Sequence, residues 1–402
     1  MKESVGLRVA SFATAVAVAA FAVAVALGSS RHIPDWAAPQ IASVVSHGLM
    51  GATSVKSFHP NAALTRQTLS DLAFDLQQSD TTPPPPPPPT TTTATTTTEA
   101  TTTAPAPGPT TDATTAGATT TTDATTTTAT APQIPDGSDP ATMATLDREL
   151  VTSLGLLHSA GEFAQGARAA GIGIPNRFGT EVVARLLGLR INHPASQDYL
   201  ELRPQDTATR AEAAYSAAQI LGFGWLDDSW QIDWVKSAAD SFALPQMTEW
   251  QKRILTVAFS KIGMPYIWGG TSDGPEAPFG VPSRGGYDCS GFVWRVYKLQ
   301  SYPGEGDLAS TIQGRTTYTM SVEVPASERI PLAKLQPADV IFFGSQGRFS
   351  SGAEIDHTAI YIGNGWFIQS SDEGVALAQL TGWYRKEFAW GRRPLREAGL
   401  EP

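Results

Sequence analysis

The chain of 402 residues carries 28 Lys and Arg against 38 Asp and Glu, a formal net charge of −10, and one cysteine, Cys289. A single cysteine excludes an internal disulfide framework, and the charge balance offers no footprint for nucleic acid. The acidity lies upstream, since from Thr248 onward fifteen basic side chains stand against sixteen acidic ones.

Lys2 and Arg8 make a basic start, and Val9 to Ser30 runs without a charge through Ala- and Val-rich sequence. Residues 1–30 read as a secretory signal, with Ala26-Leu27-Gly28 as a small-residue cleavage site, or as an uncleaved membrane anchor, the one membrane contact expected. Either way the chain is expected outside the cytosol, in the cell wall, the envelope or the medium. In that compartment a leftover thiol is an intermolecular partner, an accident or a reactive group.

Residues 31–80 and 133–247 read as mainly helical, separated by a Thr/Pro/Ala-rich stretch, 81–132, that opens with Pro83 to Pro89 and cannot build a core. This stretch is expected to be a disordered spacer that gives reach. A faint repeat runs through the flanking regions. Pro60 and Thr65, Pro175 and Thr180, and Pro204 and Thr209 share one offset, and each threonine precedes a helical run: Gln67–Leu76, Val182–Leu189 and Ala211–Leu221. Each threonine is expected to cap its helix, although proline before threonine is also ordinary helix-start chemistry. In the first copy Trp36, Ile41, Val44, Gly48, Leu49, Phe58, Pro60 and Leu64-Thr65-Arg66 resemble an S-layer-homology repeat, and Leu202 through Ala213 resembles the end of another. That resemblance implies binding of a cell-wall polymer. The linker interrupts the series, and the second copy lacks the arginine.

From Thr248 the style changes, and 248–402 is expected to be a separate domain. Thr248 and Gln251 form a capping box for a helix running to about Ile262. In GGYDCSGFVWRVYKL, Gly285 to Leu299, the residues Phe292, Val293, Val296 and Tyr297 make an apolar face, so Cys289 sits in the first turn of an amphipathic helix. Unpaired amides at a helix start favour the thiolate. A buried structural thiol is the bland alternative, but it needs no Asp288 and Ser290 beside it.

A cysteine nucleophile needs a base, and His357 is the one histidine after Thr248. His357 to Ile362 reads as a strand that turns at Gly363-Asn364-Gly365 and returns through Trp366 to Ser370. A three-residue loop places Gln369 opposite Ala359, on the face of His357, where its amide can accept from the imidazole and fix the tautomer. A surface polar residue is the alternative for Gln369.

Met264 to Gly270, Asp288-Cys289-Ser290-Gly291-Phe292, Leu335 to Phe343 and His357 through Gln369 resemble, in order, the motifs of the NlpC-type cell-wall peptidases, over roughly Thr248 to Pro394. The resemblance implies an α+β, papain-like fold, with the cysteine helix packed on an antiparallel sheet that bears the histidine. It implies peptidoglycan stem peptides as substrate, cut between D-glutamate and the following diamino acid. By carry-over Cys289 is the nucleophile, His357 the base and Gln369 the orienting group. Tyr266 helps hold the oxyanion, and Asp288 and Ser290 grip the free amine of the peptide. Asp288 as a helix cap is the alternative. The third position is usually histidine in that family and is glutamine here, while the long loop Thr271 to Gly286 is expected to wall the cleft. A wall-binding protein without catalysis and an amidase or acyltransferase on the same fold are the competing readings. No cofactor and no metal are expected. The acidic N-terminal half is a candidate cover for the cleft.

Overall fold

A computed structural model describes residues 34–79, 138–224 and 229–401. The charge-free stretch 9–30 and the Thr/Pro run 81–132 lie outside the described residues. Among the described residues no helix is long and apolar enough to cross a membrane.

The upstream part is helical, with α1 (Ala38–Ser46), α2 (Arg66–Ser79), α3 (Met143–Ser153), α4 (Leu157–Ala169), α5 (Phe178–Leu186), α6 (Arg210–Leu221) and α7 (Trp230–Asp240). Three of these helices start from one ring of backbone hydrogen bonds. Leu64 N–H donates to Ala208 at 2.8 Å, Ala208 to Ala141 at 2.9 Å, and Ala141 back to Leu64 at 2.8 Å. A second round joins Arg66 to Asp139, Met143 to Asp206 and Arg210 to Ala62 at 2.9 to 3.0 Å. Thr142 and Thr209 cap α3 and α6 by accepting from the amides three residues on, and Thr65 accepts from Thr68 N–H at the start of α2.

The repeat is therefore real at Thr65 and Thr209, but its middle copy is Thr142, not Thr180. Thr180 lies inside α5, whose N-cap is Arg177, and its hydroxyl donates to the Arg177 carbonyl. Residues on both sides of 80–137 belong to this one ring. The residues that flank the intervening segment are thus joined by main-chain hydrogen bonds.

Downstream, α8 (Glu249–Ser260) carries the capping box of Thr248 and Gln251 and stops two residues short of Ile262. A two-stranded pair, β1 (Thr271–Ser272) and β2 (Gly286–Tyr287), frames the Pro/Gly-rich loop. Then come α9 (Cys289–Tyr297), α10 (Leu308–Thr311), α11 (Thr317–Val322), β3 (Val340–Gly344), β4 (Ile355–Gly363), β5 (Trp366–Ser371), β6 (Gly374–Gln379), α12 (Gly382–Glu387), β7 (Phe388–Arg392) and α13 (Pro394–Glu397). Strands β3 to β7 form an antiparallel sheet in the order β6-β5-β4-β3-β7. This is an α+β, papain-like arrangement, with a cysteine-bearing helix against the sheet.

Period-two alternation sends Ile360 and Ile362 of β4 into the large core shared with the helices, and Ala359 and Tyr361 into a smaller core on the other face, with Ile341, Phe343 and Phe367. The helical part is built into the larger core. Trp366 packs edge-on against Phe163 of α4 and Phe242, at ring separations of 5.8 and 5.2 Å, and Phe178 of α5 stacks on Phe259 of α8 at 5.0 Å. Buried Arg185 of α5 donates to the carbonyls of Gly263 and Glu373, tying the helices to the β5–β6 turn.

Candidate active site

Cys289 is the first residue of α9. Its N-cap, Asp288, has extended backbone (φ −78°, ψ 175°), and its carboxylate accepts from Gly291 N–H, which leaves the thiol in the amide-rich first turn. Phe292, Val293, Val296 and Tyr297 anchor the helix in the core, and the Tyr297 hydroxyl donates to the Ala338 carbonyl. Gly291 has to be glycine, because a Cβ there would lie 1.9 Å from the Gly270 carbonyl oxygen. The close approach presses the thiol-bearing turn onto the Trp268–Gly270 loop.

The imidazole comes from β4. Strand pairing sets Tyr361 against Phe367 and Ile360 against Ile368. Gly363 is not part of the loop: it stays in the strand as a bulge with φ 111°, and the chain reverses over Asn364 and Gly365, both at positive φ. A two-residue turn plus a one-residue bulge has the parity of a three-residue loop, so His357 and Gln369 share a face. His357 Nε2 donates to Gln369 Oε1 at 2.7 Å. The other ring nitrogen, Nδ1, is left for Cys289, which lines the same cleft and whose ionisation and that of the imidazole shift each other.

Burial pushes the Cys289 thiol up, but the hydrogen bond and charge of His357 outweigh it, and the thiol lies below its ordinary value. Burial pulls His357 down, while the bond and charge of Cys289, followed by Gln369, raise it above the ordinary imidazole value. The two shifts have one cause, since each side chain favours the charged form of the other.

Tyr266, Asp288 and Ser290 line the same cleft as Cys289 and His357. The Tyr266 hydroxyl is held strongly protonated, first by burial and then by the nearby charges of Cys289 and Asp288, so it is present as a donor. Asp288 is heavily engaged. Arg315 reaches both its oxygens at 3.1 Å, Gly269 N–H donates to Oδ2 at 3.0 Å, and the Ser290 hydroxyl donates to Oδ1 at 3.0 Å. Arg315 also donates to Ser290 Oγ at 2.8 Å and to the carbonyls of Gly269 and Gly270. Thr317, in the first turn of α11, lies 3.4 Å from the sulfur through its hydroxyl oxygen. Neither Arg315 nor Thr317 is singled out by sequence reasoning; their signal is weak, a polar Gly-Arg-Thr-Thr run before a short helix.

The cleft encloses about 410 Å³, enough for a short peptide segment. Its rim is aromatic: Trp268, Phe279 and Tyr318 are 55%, 82% and 50% exposed. Phe279 comes from the long loop before the cysteine, which walls the cleft. Every lining residue lies between Tyr266 and His357, so among the described residues none of the upstream helical part lines the cleft. Asp198 instead braces the wall from behind, accepting from Trp268 N–H at 3.1 Å. Among the described residues no group of three His, Cys, Asp or Glu is placed to hold a metal ion.

Residues 263–393 match the family model described as the NlpC/P60 family. Among curated proteins the chain is similar to murein DD-endopeptidase MepH of Escherichia coli, 31% identical over 167 residues that cover 40% of this chain and 53% of that protein. It is also similar to the probable peptidoglycan endopeptidase LytE of Bacillus subtilis, 31% identical over 33% of this chain and 31% of the relative. A gamma-D-glutamyl-L-lysine dipeptidyl-peptidase of Bacillus subtilis is 26% identical over 40% of this chain and 46% of its own length. The chain thus spans about half or less of each of these relatives. Among solved structures, an NlpC/P60 family protein from Bacillus cereus is 29% identical over 38% of this chain and 42% of that one, with a TM-score of 0.28. Residues 263–393 of this chain form an NlpC/P60 domain.

Proposed function

We propose that the chain is an exported peptidoglycan endopeptidase that hydrolyses stem-peptide bonds through Cys289. The observation that carries this reading is that Cys289, at the start of its helix, and His357, held by Gln369 at 2.7 Å, line one cleft. The family of the domain, and relatives named as acting on murein or peptidoglycan, support the substrate class.

In this reading the thiolate attacks the scissile carbonyl carbon, and the oxygen gathers charge facing the Cys289 amide and the Tyr266 hydroxyl. His357 gives its proton to the leaving amine, which departs as the thioester forms. A water molecule, losing its proton to His357, then attacks the thioester, and the sulfur leaves as thiolate. Gln369 keeps Nδ1 directed at the sulfur throughout. The occupied carboxylate of Asp288 favours a building role for it and for Ser290, since a substrate amine would have to share the carboxylate with Arg315. Attachment to a wall polymer through the helical repeats, and residence in the envelope, belong to the same proposal.

One relative is named a DD-endopeptidase and another a gamma-D-glutamyl-L-lysine dipeptidyl-peptidase, so the bond is to be read from products. Purified peptidoglycan is digested with the chain and with Cys289→Ala, and the soluble fragments are weighed by mass spectrometry. Fragments cut between D-glutamate and the diamino acid, absent with Cys289→Ala, are expected. Stems released whole from the sugar would indicate an amidase, and intact sacculi would overturn the enzyme reading.

A further inference from the structure

A neutral amide differs from a carboxylate in having two unlike ends, so Gln369 can orient His357 only if something decides which end faces the ring. With Oε1 inward, His357 Nε2 is a donor and Nδ1 is free to take the thiol proton. Flipped, the amide N–H would face Nε2 and drive the ring proton to Nδ1, next to the sulfur; an imidazolium, which carries a proton on both nitrogens, would then face a donor. Gln369 is 2% exposed, so bulk water does not make the choice.

The other end of the amide shows what does. Gln369 Nε2 donates to the Tyr384 hydroxyl at 2.6 Å and to Ser371 Oγ at 3.3 Å, and Ser371 Oγ donates to Glu373 Oε2 at 2.6 Å. Tyr384, from α12, packs its ring against Phe367 and Phe343 at 4.9 and 5.5 Å and so is fixed in place, but a phenol can either donate or accept. An ionised carboxylate can only accept. Glu373 therefore takes the Ser371 proton, and the serine has only lone pairs left to offer the amide.

We propose that Glu373 and Ser371, with Tyr384 as the fixed wall, are positioning residues that set the polarity of the Gln369 amide and through it the tautomer of His357. The proposal rests on the reading of Cys289 and His357 as a working pair. Its test measures thiol ionisation rather than hydrolysis, so the two can fail separately.

Cys289 is the only cysteine, so alkylation of the full chain by iodoacetamide across pH reports on one thiolate. The titratable and charged groups facing the pair, Tyr266, Asp288, Arg315 and Asp356 around the cleft and Asp372 at the end of β5, are left unaltered. Ser371→Ala and Glu373→Gln are each expected to move the alkylation midpoint up by about one pH unit, a tenfold change in the ionisation equilibrium. Ser371→Thr, which keeps the hydroxyl, is expected to follow the unaltered protein. In a Gln369→Glu background, where both ends of the side chain accept, Ser371→Ala is expected to move the midpoint by less than about a third of that. A Ser371→Ala midpoint equal to that of the unaltered protein, or an equal shift in both backgrounds, overturns the proposal.

Discussion

Asp288 in the cleft and Asp147 in the helical part are both aspartates beside an arginine, and they are held in different ways. Asp288 meets Arg315 at 3.1 Å through both oxygens and takes two backbone amides and a serine hydroxyl as well. Asp147 is fully buried, its nearest cation is Arg190 Nε at 3.7 Å, and neither of its oxygens has a hydrogen-bond partner among the described residues. Glu181 and Arg185 repeat that looser spacing at 3.7 Å. The cleft uses short, directional bonds that fix atoms to positions, whereas the helical part holds a group of charges by mutual attraction in a region that excludes water. Deletions in the first should therefore cost rate, and deletions in the second should cost stability.

The largest effect expected is at His357. His357→Ala is expected to lower kcat about 10³-fold, with the melting temperature nearly unchanged; steady-state hydrolysis of a soluble muropeptide within tenfold of the unaltered protein would break the comparison. Arg185→Met is expected to do the reverse. It strands the buried carboxylate of Glu181 and unties the Gly263 and Glu373 carbonyls, at a cost of about 3 kcal/mol in urea unfolding.

The pH dependence of stability sharpens the same contrast. Burial raises Glu181 to about 7, with Asp147 adding to it, and burial likewise raises Glu212 to about 7. Burial pulls His193 down, but its bond to Glu201 at 2.9 Å and nearby carboxylates leave it raised. In all three the folded protein binds the proton more tightly than the unfolded chain. The resulting stability is present at pH about 4.5 and, for the two glutamates, is lost as pH rises toward 7; the His193 share goes as pH rises through its own raised value. Thermal melts followed by far-ultraviolet circular dichroism are expected to fall by several degrees between pH about 5 and about 8. A flat profile would mean that the charges are better compensated than their spacing implies. The smallest effect separates the true repeat from the apparent one: Thr142→Ala is expected to cost about 1 kcal/mol and Thr180→Ala a few tenths, in matched urea titrations.

What the sequence revealed follows the range of the interaction. Cys289 at a helix start and His357 on a strand are visible because local periodicity fixes the helix face and strand parity fixes the sheet face. Gln369 was reachable through turn parity alone, even though Gly363 entered the strand as a bulge, because bulge and loop count alike. Arg315 and Thr317 were not visible, since they arrive from a loop and a short helix whose path depends on tertiary packing. Ser371, Glu373 and Tyr384 were hidden for another reason: they act on the far end of a side chain, and polarity along a hydrogen-bond chain leaves no spacing pattern. In the helical part Thr142 was missed because its copy has no proline five residues earlier; the backbone ring, not the proline, defines the repeat. Asp147 on α3 and Glu181 and Arg185 on α5 are buried charges whose burial, like that of Arg190 after α5, depends on tertiary packing and not on local pattern.

The ring of Leu64, Ala141 and Ala208 also decides what a protease would achieve. Because the flanks of 80–137 are knotted into one another by main-chain bonds, cutting that stretch severs the polypeptide without dismantling the module. The severed amino-terminal piece would stay clasped to the remainder as a two-chain particle, and shedding it would require melting the helices that start from the ring.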